Sequence, residues 1–184
     1  MKIFIILFSF LFVTNVGAKD KKAQHREHEA HVHGGGTLSI AFDGNNGKIE
    51  FKAAAEAIVG FEHEARSEKD KKMVSDAITK FESEMAKMVK FDSTLNCHFT
   101  KEKVEIVKDK DHSEGKEQKK EEHGTHSDFV ANFTVVCSKA VVGTKLTIDF
   151  GVFLRLKDLD VTVLAGELQK SGEFKGKPVT IDLK

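Results

Sequence analysis

Larger apolar residues recur at every second position in two neighbouring segments of the chain, residues 37–42 and 48–53. A period of two is typical of a strand with one buried face. The five residues between these segments, 43–47, are rich in Gly, Asn and Asp, which favour turns. The pattern predicts a β-hairpin, and a hairpin would bring the residues that precede position 37 close to those that follow position 53.

A helical pattern follows the predicted hairpin. Apolar residues recur at intervals of three and four from residue 73 to residue 89, which is typical of an amphipathic helix with one buried stripe. Ser67 can accept a hydrogen bond from a first-turn amide, and Glu68 and Asp70 would lie near the positive end of the helix dipole. The sequence predicts one main helix that begins after Ser67 and ends near Lys90.

The rest of the chain has mainly the character of strands. Residues 95–107 and 128–137 predict an antiparallel pair, and the alternation of the first slips between Phe99 and Val104, which predicts a β-bulge. Further predictions are strands around 146–148, 159–164 and 179–183, a short helix or turn at 151–157 and a turn-rich connection at 167–177. Together these elements predict an α+β fold, a mostly antiparallel sheet packed by one main amphipathic helix.

Charged residues replace apolar ones over residues 108–127. This stretch can bury too little apolar surface to offset the entropy lost on ordering, so we expect a flexible, disordered loop rich in His, Lys and Glu. It carries His112, His123 and His126. They are either solvated residues of a charged linker or accessory metal ligands that exchange quickly.

The first 18 residues have the pattern of a secretory signal: Lys2, an apolar run over residues 3–13 and small residues up to Ala18. The run is shorter than the roughly 20 residues of a membrane-spanning helix, so we expect no membrane anchor after cleavage. We therefore predict a signal peptide at 1–18, a His-rich segment at 19–36 and a single domain at 37–184.

Export to an oxidising compartment changes the interpretation of the two cysteines, Cys97 and Cys137. Antiparallel folding of their two strands would place them opposite each other, which predicts a disulfide. Neither cysteine belongs to a C-x-x-C pair, so their use as metal ligands is disfavoured.

Histidines are concentrated just before the first predicted strand, at His25, His28, His31 and His33. Neutral imidazole is a ligand for zinc, copper and nickel, so this segment predicts a metal site, although a solvated, weakly structured tail would have the same composition. His63 follows the second strand of the hairpin. The hairpin would bring it towards His31 and His33.

Charge and motifs exclude several other functions. Lys plus Arg and Asp plus Glu both number 29, so net charge gives no reason to expect nucleic acid as a partner. No phosphate-binding loop, nucleophile elbow or H-E-x-x-H motif is present, and His28 and His31 are three positions apart instead of four. We expect a metal-binding protein and no enzyme. A copper- or nickel-sequestering protein and a zinc-dependent hydrolase stay as alternatives.

Several motifs occur together: Glu-Ala-His-Val-His-Gly at 29–34, the hairpin, Ile-Val-Gly-Phe-Glu-His at 58–63 and a His-containing insert between the two cysteines. In these the chain resembles the zinc-regulated periplasmic proteins of the ZrgA type. The resemblance implies a periplasmic zinc-binding protein that assists zinc acquisition or delivers zinc to a component of an uptake system. It also implies His31, His33 and His63 as leading ligands, with His112, His123 and His126 as accessory ones.

Overall fold

The alternating segments form the predicted hairpin, and the apolar stripe forms the predicted helix. The computed structural model describes residues 35–108 and 126–184, all within one compact unit. The predicted signal peptide, most of the predicted insert and six of the candidate ligands lie outside these ranges, namely His25, His28, His31, His33, His112 and His123.

The described elements follow one another in the order β1 (Gly35–Asp43), β2 (Asn46–Ala54), α1 (Ala55–Val59), α2 (Glu68–Met88), β3 (Val89–Phe91), a 3-10 turn (Ser93–Leu95), β4 (His98–Lys108), β5 (Ser127–Val136), β6 (Lys145–Ile148), β7 (Asp158–Ala165), β8 (Leu168–Phe174) and β9 (Val179–Asp182). Six strands form one sheet in the order β4-β5-β2-β1-β7-β8, and a smaller sheet has the order β3-β6-β9. Neighbouring strands are antiparallel except for β1 and β7, which are parallel. The predicted α+β class with a mostly antiparallel sheet is confirmed.

Helix α2 begins where the sequence predicts. The Ser67 hydroxyl accepts from the Asp70 amide, and the Asp70 carboxylate accepts from the Ser67 amide, so each satisfies a backbone donor of the first turn. The helix ends at Met88, slightly before the predicted end, because Val89 begins β3.

Helix α2 packs against the larger sheet through phenylalanine. Phe81 is fully buried, and its ring centroid lies 5.0 Å from that of Phe51 on β2 and 4.9 Å from that of Phe129 on β5. Both partners belong to the inward-facing apolar set that the alternation predicts. Among the described residues, no helix has the length and apolar character that a membrane crossing requires.

The prediction for residues 167–177 is wrong. Most of this stretch, Leu168–Phe174, forms β8 and pairs with β7, and only its two ends are turns or bends. Gly172 lies within β8, and a Cβ added there would come within 3.0 Å of the Ile181 side chain. The glycine therefore permits a close approach between layers, which is one of the accepted uses of glycine inside a strand. The short helix α1 was not predicted either.

The predictions for β4 and β5 are confirmed in register and in covalent linkage. The bulge lies between Lys101 and Lys103, within the predicted interval, and Cys97 is bonded to Cys137. The predicted insert was too wide at both ends, because Lys108 is the last residue of β4 and Ser127 the first of β5.

One end of the six-stranded sheet collects the segments of functional interest. Strands β1, β5 and β7 begin at this end, and β2, β4 and β8 finish there. We call it the histidine end, because the His-bearing segments of the sequence join the sheet there. The disulfide lies at the opposite end, beside the start of β4 and the finish of β5.

Candidate functional site

The segment that follows α1, residues 60–66, carries two of the side chains of the site. It begins at Gly60, which has a φ of 90° in the left-handed region that favours glycine. A Cβ at this position would also approach the guanidinium carbon of Arg155 to 3.1 Å. Gly60 therefore ends α1 and lets the chain continue towards the first residues of β5.

Glu62 is held to the start of β5 by two hydrogen bonds. The hydroxyl of Ser127 donates to the Glu62 carbonyl oxygen at 2.7 Å, and the Glu62 carboxylate Oε2 lies 2.8 Å from Nδ1 of His126. Ser127 is buried, and only 21% of the Glu62 side chain is exposed. Glu62 thus has both its backbone and its side chain fixed against the strand.

The contact with Glu62 sets the tautomer of His126. An ionised carboxylate can only accept, so Nδ1 of His126 must carry the hydrogen and donate it. In a neutral ring the lone pair is then on Nε2. Histidines that bind a metal through one ring nitrogen usually donate the other N–H to a carboxylate, a carbonyl or water, which fixes the tautomer and the ring orientation.

His63 has an equivalent arrangement. Its ring stacks on that of Phe61, with centroids 4.6 Å apart and planes 16° from parallel, and its Nδ1 lies 3.0 Å from the carbonyl oxygen of Glu64. A carbonyl oxygen also only accepts, so Nδ1 is again the donor and Nε2 carries the lone pair. Both described candidate ligands therefore use Nδ1 for protein contacts.

Ion pairs connect the same segment to the end of β4. The Glu64 carboxylate lies 3.4 Å from a guanidinium nitrogen of Arg66 and 3.7 Å from Nζ of Lys108, the last residue of β4. On the neighbouring strands Lys52 pairs with the buried Asp128 at 3.2 Å. Both residues that border the insert, Lys108 and His126, consequently contact the segment that contains His63.

The predicted ligands differ in what the structure says of them. It brings His126 to Glu62, the residue next to His63, although 64 positions separate Glu62 and His126 in the chain. The other six candidate histidines lie outside the described ranges. For them, only the sequence shows which strand their segment precedes or follows. Glu62 was not among the residues predicted from the sequence to serve the site. Its adjacent histidine was the only signal of a role beside a ligand.

A second group of metal-capable side chains, which we call the acidic cluster, consists of Asp158, Asp160 and Glu173 on β7 and β8. One carboxylate oxygen from each lies within 4.8 Å of the others. Lys175 binds the Glu173 carboxylate at 2.8 Å, and this hydrogen bond, together with the charge of Glu173, raises the pKa of Lys175 above its ordinary value. The alternation of Asp158 and Asp160 along one strand face was a signal that the sequence analysis did not use.

Comparison with known proteins assigns the chain to a family. No curated protein matches it. A family model described as "ZrgA family zinc uptake protein" matches residues 30–183, a range that includes the hairpin, the segment of Glu62 and His63, both cysteines and the acidic cluster. The chain therefore belongs to the ZrgA family of zinc uptake proteins, and its role lies in zinc uptake.

Proposed function

We propose that this protein is exported to the periplasm and binds zinc there through histidines gathered at the histidine end. It would hold the metal reversibly and deliver it to a component of an uptake system. In this proposal zinc is a cargo and the protein has no catalytic activity. Residues 1–18 are removed as a signal peptide, 19–36 supply ligands, and 37–184 form the domain with its insert.

The observation that carries the proposal is that the start of β1 and the start of β5 lie close together at the histidine end. Gly36 pairs with Ala53, and Ala54 pairs with Asp128, so β1 and β5 are two strand spacings apart, or roughly 10 Å. His33 stands two positions before Gly35, and two residues of chain span at most about 7 Å. Imidazoles from both His-bearing segments are therefore within reach of the segment at 60–66.

The donor set fits zinc. Zinc is bound in proteins by histidine nitrogen, cysteine sulfur or carboxylate oxygen, and closed zinc sites have four ligands in a tetrahedron. We assign His31, His33 and His63 as principal ligands and His126 as the ligand that completes the set. His25, His28, His112 and His123 would be accessory donors that raise the local concentration of imidazole.

Calorimetric titration of the mature chain tests the assignment. The double variant His31→Ala/His33→Ala should lose the tightest zinc site, with affinity falling by at least about 100-fold. It removes two proposed ligands, and even the loss of one residue that orients a ligand costs 10- to 100-fold. The control is His98→Ala, because His98 is an exposed histidine at the opposite end of the sheet, at the start of β4. An unchanged titration of the double variant would contradict the assignment.

Metal identity needs a separate measurement, because copper and nickel bind imidazole at least as tightly as zinc does in the general affinity order. Metal analysis of the protein isolated from its native compartment should find zinc. Copper or nickel in its place would convert the proposal into one of sequestration, and would contradict delivery of zinc.

A further inference from the structure

We infer that Glu62 is a positioning residue for the zinc site: its carboxylate fixes the His126 ring so that His126 coordinates the metal through Nε2. This inference rests on the proposed function, because it assigns a partner to one of the proposed ligands. It goes further in naming which nitrogen binds and which residue decides that choice.

The first step is the geometry of the pair. The Oε2–Nδ1 distance of 2.8 Å is in the range of a charge-assisted hydrogen bond. With Nδ1 donating to Glu62, coordination by His126 goes through Nε2. His63 follows the same rule through the Glu64 carbonyl, so both described ligands would present the same ring atom.

The second step is that Glu62 is itself immobilised. Ser127, the residue after His126, donates its hydroxyl to the Glu62 carbonyl, so the carboxylate and the ring are attached to the same strand start. Glu105 on β4 is a different case, because 47% of its side chain is exposed and its carboxylate pairs with Lys103 at 2.8 Å. Glu105→Gln therefore serves as a control for the loss of one negative charge.

The third step separates orientation from stability. A single hydrogen bond of this kind adds only about 1 kcal/mol to the free energy of unfolding, and 46% of the His126 side chain is exposed. Loss of a second-shell partner, by contrast, typically weakens metal binding by 10- to 100-fold. A purely structural Glu62 would show the opposite pattern, a change in thermal stability without a change in zinc affinity.

The test uses the mature chain with Glu62→Ala, Glu62→Gln and the control Glu105→Gln. Zinc affinity by calorimetry should fall 10- to 100-fold in Glu62→Ala and fall less in Glu62→Gln, whose amide oxygen can still accept from Nδ1. It should stay within twofold in Glu105→Gln. Nitrogen-15 NMR of the metal-free protein should find the hydrogen of neutral His126 on Nδ1 in the parent chain and lose that preference in Glu62→Ala. Should Glu62→Ala not fold, Glu62→Gln and the tautomer of the parent chain decide the question.

Two outcomes would overturn the inference. One is zinc affinity in Glu62→Ala within twofold of the parent, and the other is a parent chain whose neutral His126 carries its hydrogen on Nε2. Either result leaves the proposed function standing if the parent binds zinc and His31→Ala/His33→Ala does not. Failure of the parent chain to bind zinc at all would instead refute the proposed function, and this inference with it.

Discussion

The pair of His63 and His126 and the acidic cluster lie at the same end of the same sheet, yet they offer a metal ion different chemistry. The acidic cluster brings three carboxylate oxygens within 4.8 Å of one another on two adjacent strands. The two histidines come from separate parts of the chain, and each has Nδ1 held by an acceptor. The carboxylates of the acidic cluster lie close together, whereas each of the two imidazoles has its orientation fixed by a hydrogen bond.

The comparison shows why proximity of ligand atoms does not by itself identify a zinc site. Carboxylate oxygens suit magnesium, calcium and manganese, whereas imidazole nitrogen suits zinc, copper and nickel. Lys175 also balances part of the negative charge of the acidic cluster by binding Glu173. For a protein of a zinc uptake family, we therefore expect zinc at the histidines.

The largest expected effect is on the fold that both regions share. The Cys97–Cys137 disulfide closes a loop of sequence separation 40, and on the chain-entropy account its removal in Cys97→Ser/Cys137→Ser should lower the free energy of unfolding by about 4 kcal/mol. Because it lies at the far end of the sheet, zinc affinity under folding conditions should change less than threefold. Denaturant unfolding and calorimetry measure the two quantities. A large loss of affinity in the folded variant would show that the histidine end depends on the distant disulfide.

The next effect compares the two regions directly. His63→Ala/His126→Ala removes two of the proposed nitrogen ligands and should weaken zinc binding by about 100-fold or more, since even the loss of one residue that orients a ligand costs 10- to 100-fold. Asp160→Asn/Glu173→Gln removes two carboxylates of the acidic cluster and should leave zinc affinity within twofold. Calorimetry of both double variants beside the parent chain decides the matter. A larger loss in the acidic variant would reverse the assignment of the site.

Much of the fold follows from local pattern. The hairpin, the Ser67 helix cap, the bulge and the disulfide were each predicted, because alternation, a helix cap and a register slip leave direct traces in sequence. The parallel pairing of β1 with β7 was not predicted, since it joins strands more than a hundred positions apart with no turn between them. Strand β8 was mistaken for a connection because Gly172, within it, and Gly176, just after it, resemble turn residues. Gly172 instead lies inside the strand, where an added Cβ would meet the Ile181 side chain.

The site was predictable in residue type and less so in geometry. His63 and His126 were named from composition and from the resemblance to a family. The hydrogen bond from His126 to Glu62 could not be foreseen, because it depends on how α1 ends and where β5 begins. Neither boundary was placed correctly from sequence. The assignment of His31 and His33 stays a prediction.

A smaller effect is expected where Ser127 anchors the Glu62 backbone. Ser127→Ala removes a hydroxyl donor from the Glu62 carbonyl and should lower the free energy of unfolding by about 1 kcal/mol. Zinc affinity should fall a few-fold, since the Glu62 carboxylate loses part of its support. Ser171→Ala on β8, an exposed serine beside the acidic cluster, is the control and should change neither quantity. Equal zinc affinities in both variants would show that the hydrogen bond from Ser127 to Glu62 does not support zinc binding.

The smallest expected effect concerns the charge balance of the acidic cluster itself. Lys175 donates to the Glu173 carboxylate, and this hydrogen bond, then the charges of Glu173, Asp158 and Asp160, hold the pKa of Lys175 above 10.5. A lysine whose pKa is raised on folding adds stability below its unfolded pKa, and that contribution disappears as the pH rises through the folded pKa. Glu173→Gln should therefore return the Lys175 pKa towards 10.5, with little change in stability because both side chains are exposed.

NMR titration of the Lys175 side chain in the alkaline range measures this shift, with Glu167→Gln as a control that removes an acid from the turn between β7 and β8, at the other end of β8 from Lys175. In the control the Lys175 pKa should match that of the parent chain. If Glu173→Gln leaves it unchanged as well, Glu173 does not hold Lys175, and its carboxylate remains available to a cation. Lys175 would then not neutralise part of the charge of the acidic cluster. The acidic cluster and the histidines would differ only in donor atoms, carboxylate oxygen against imidazole nitrogen.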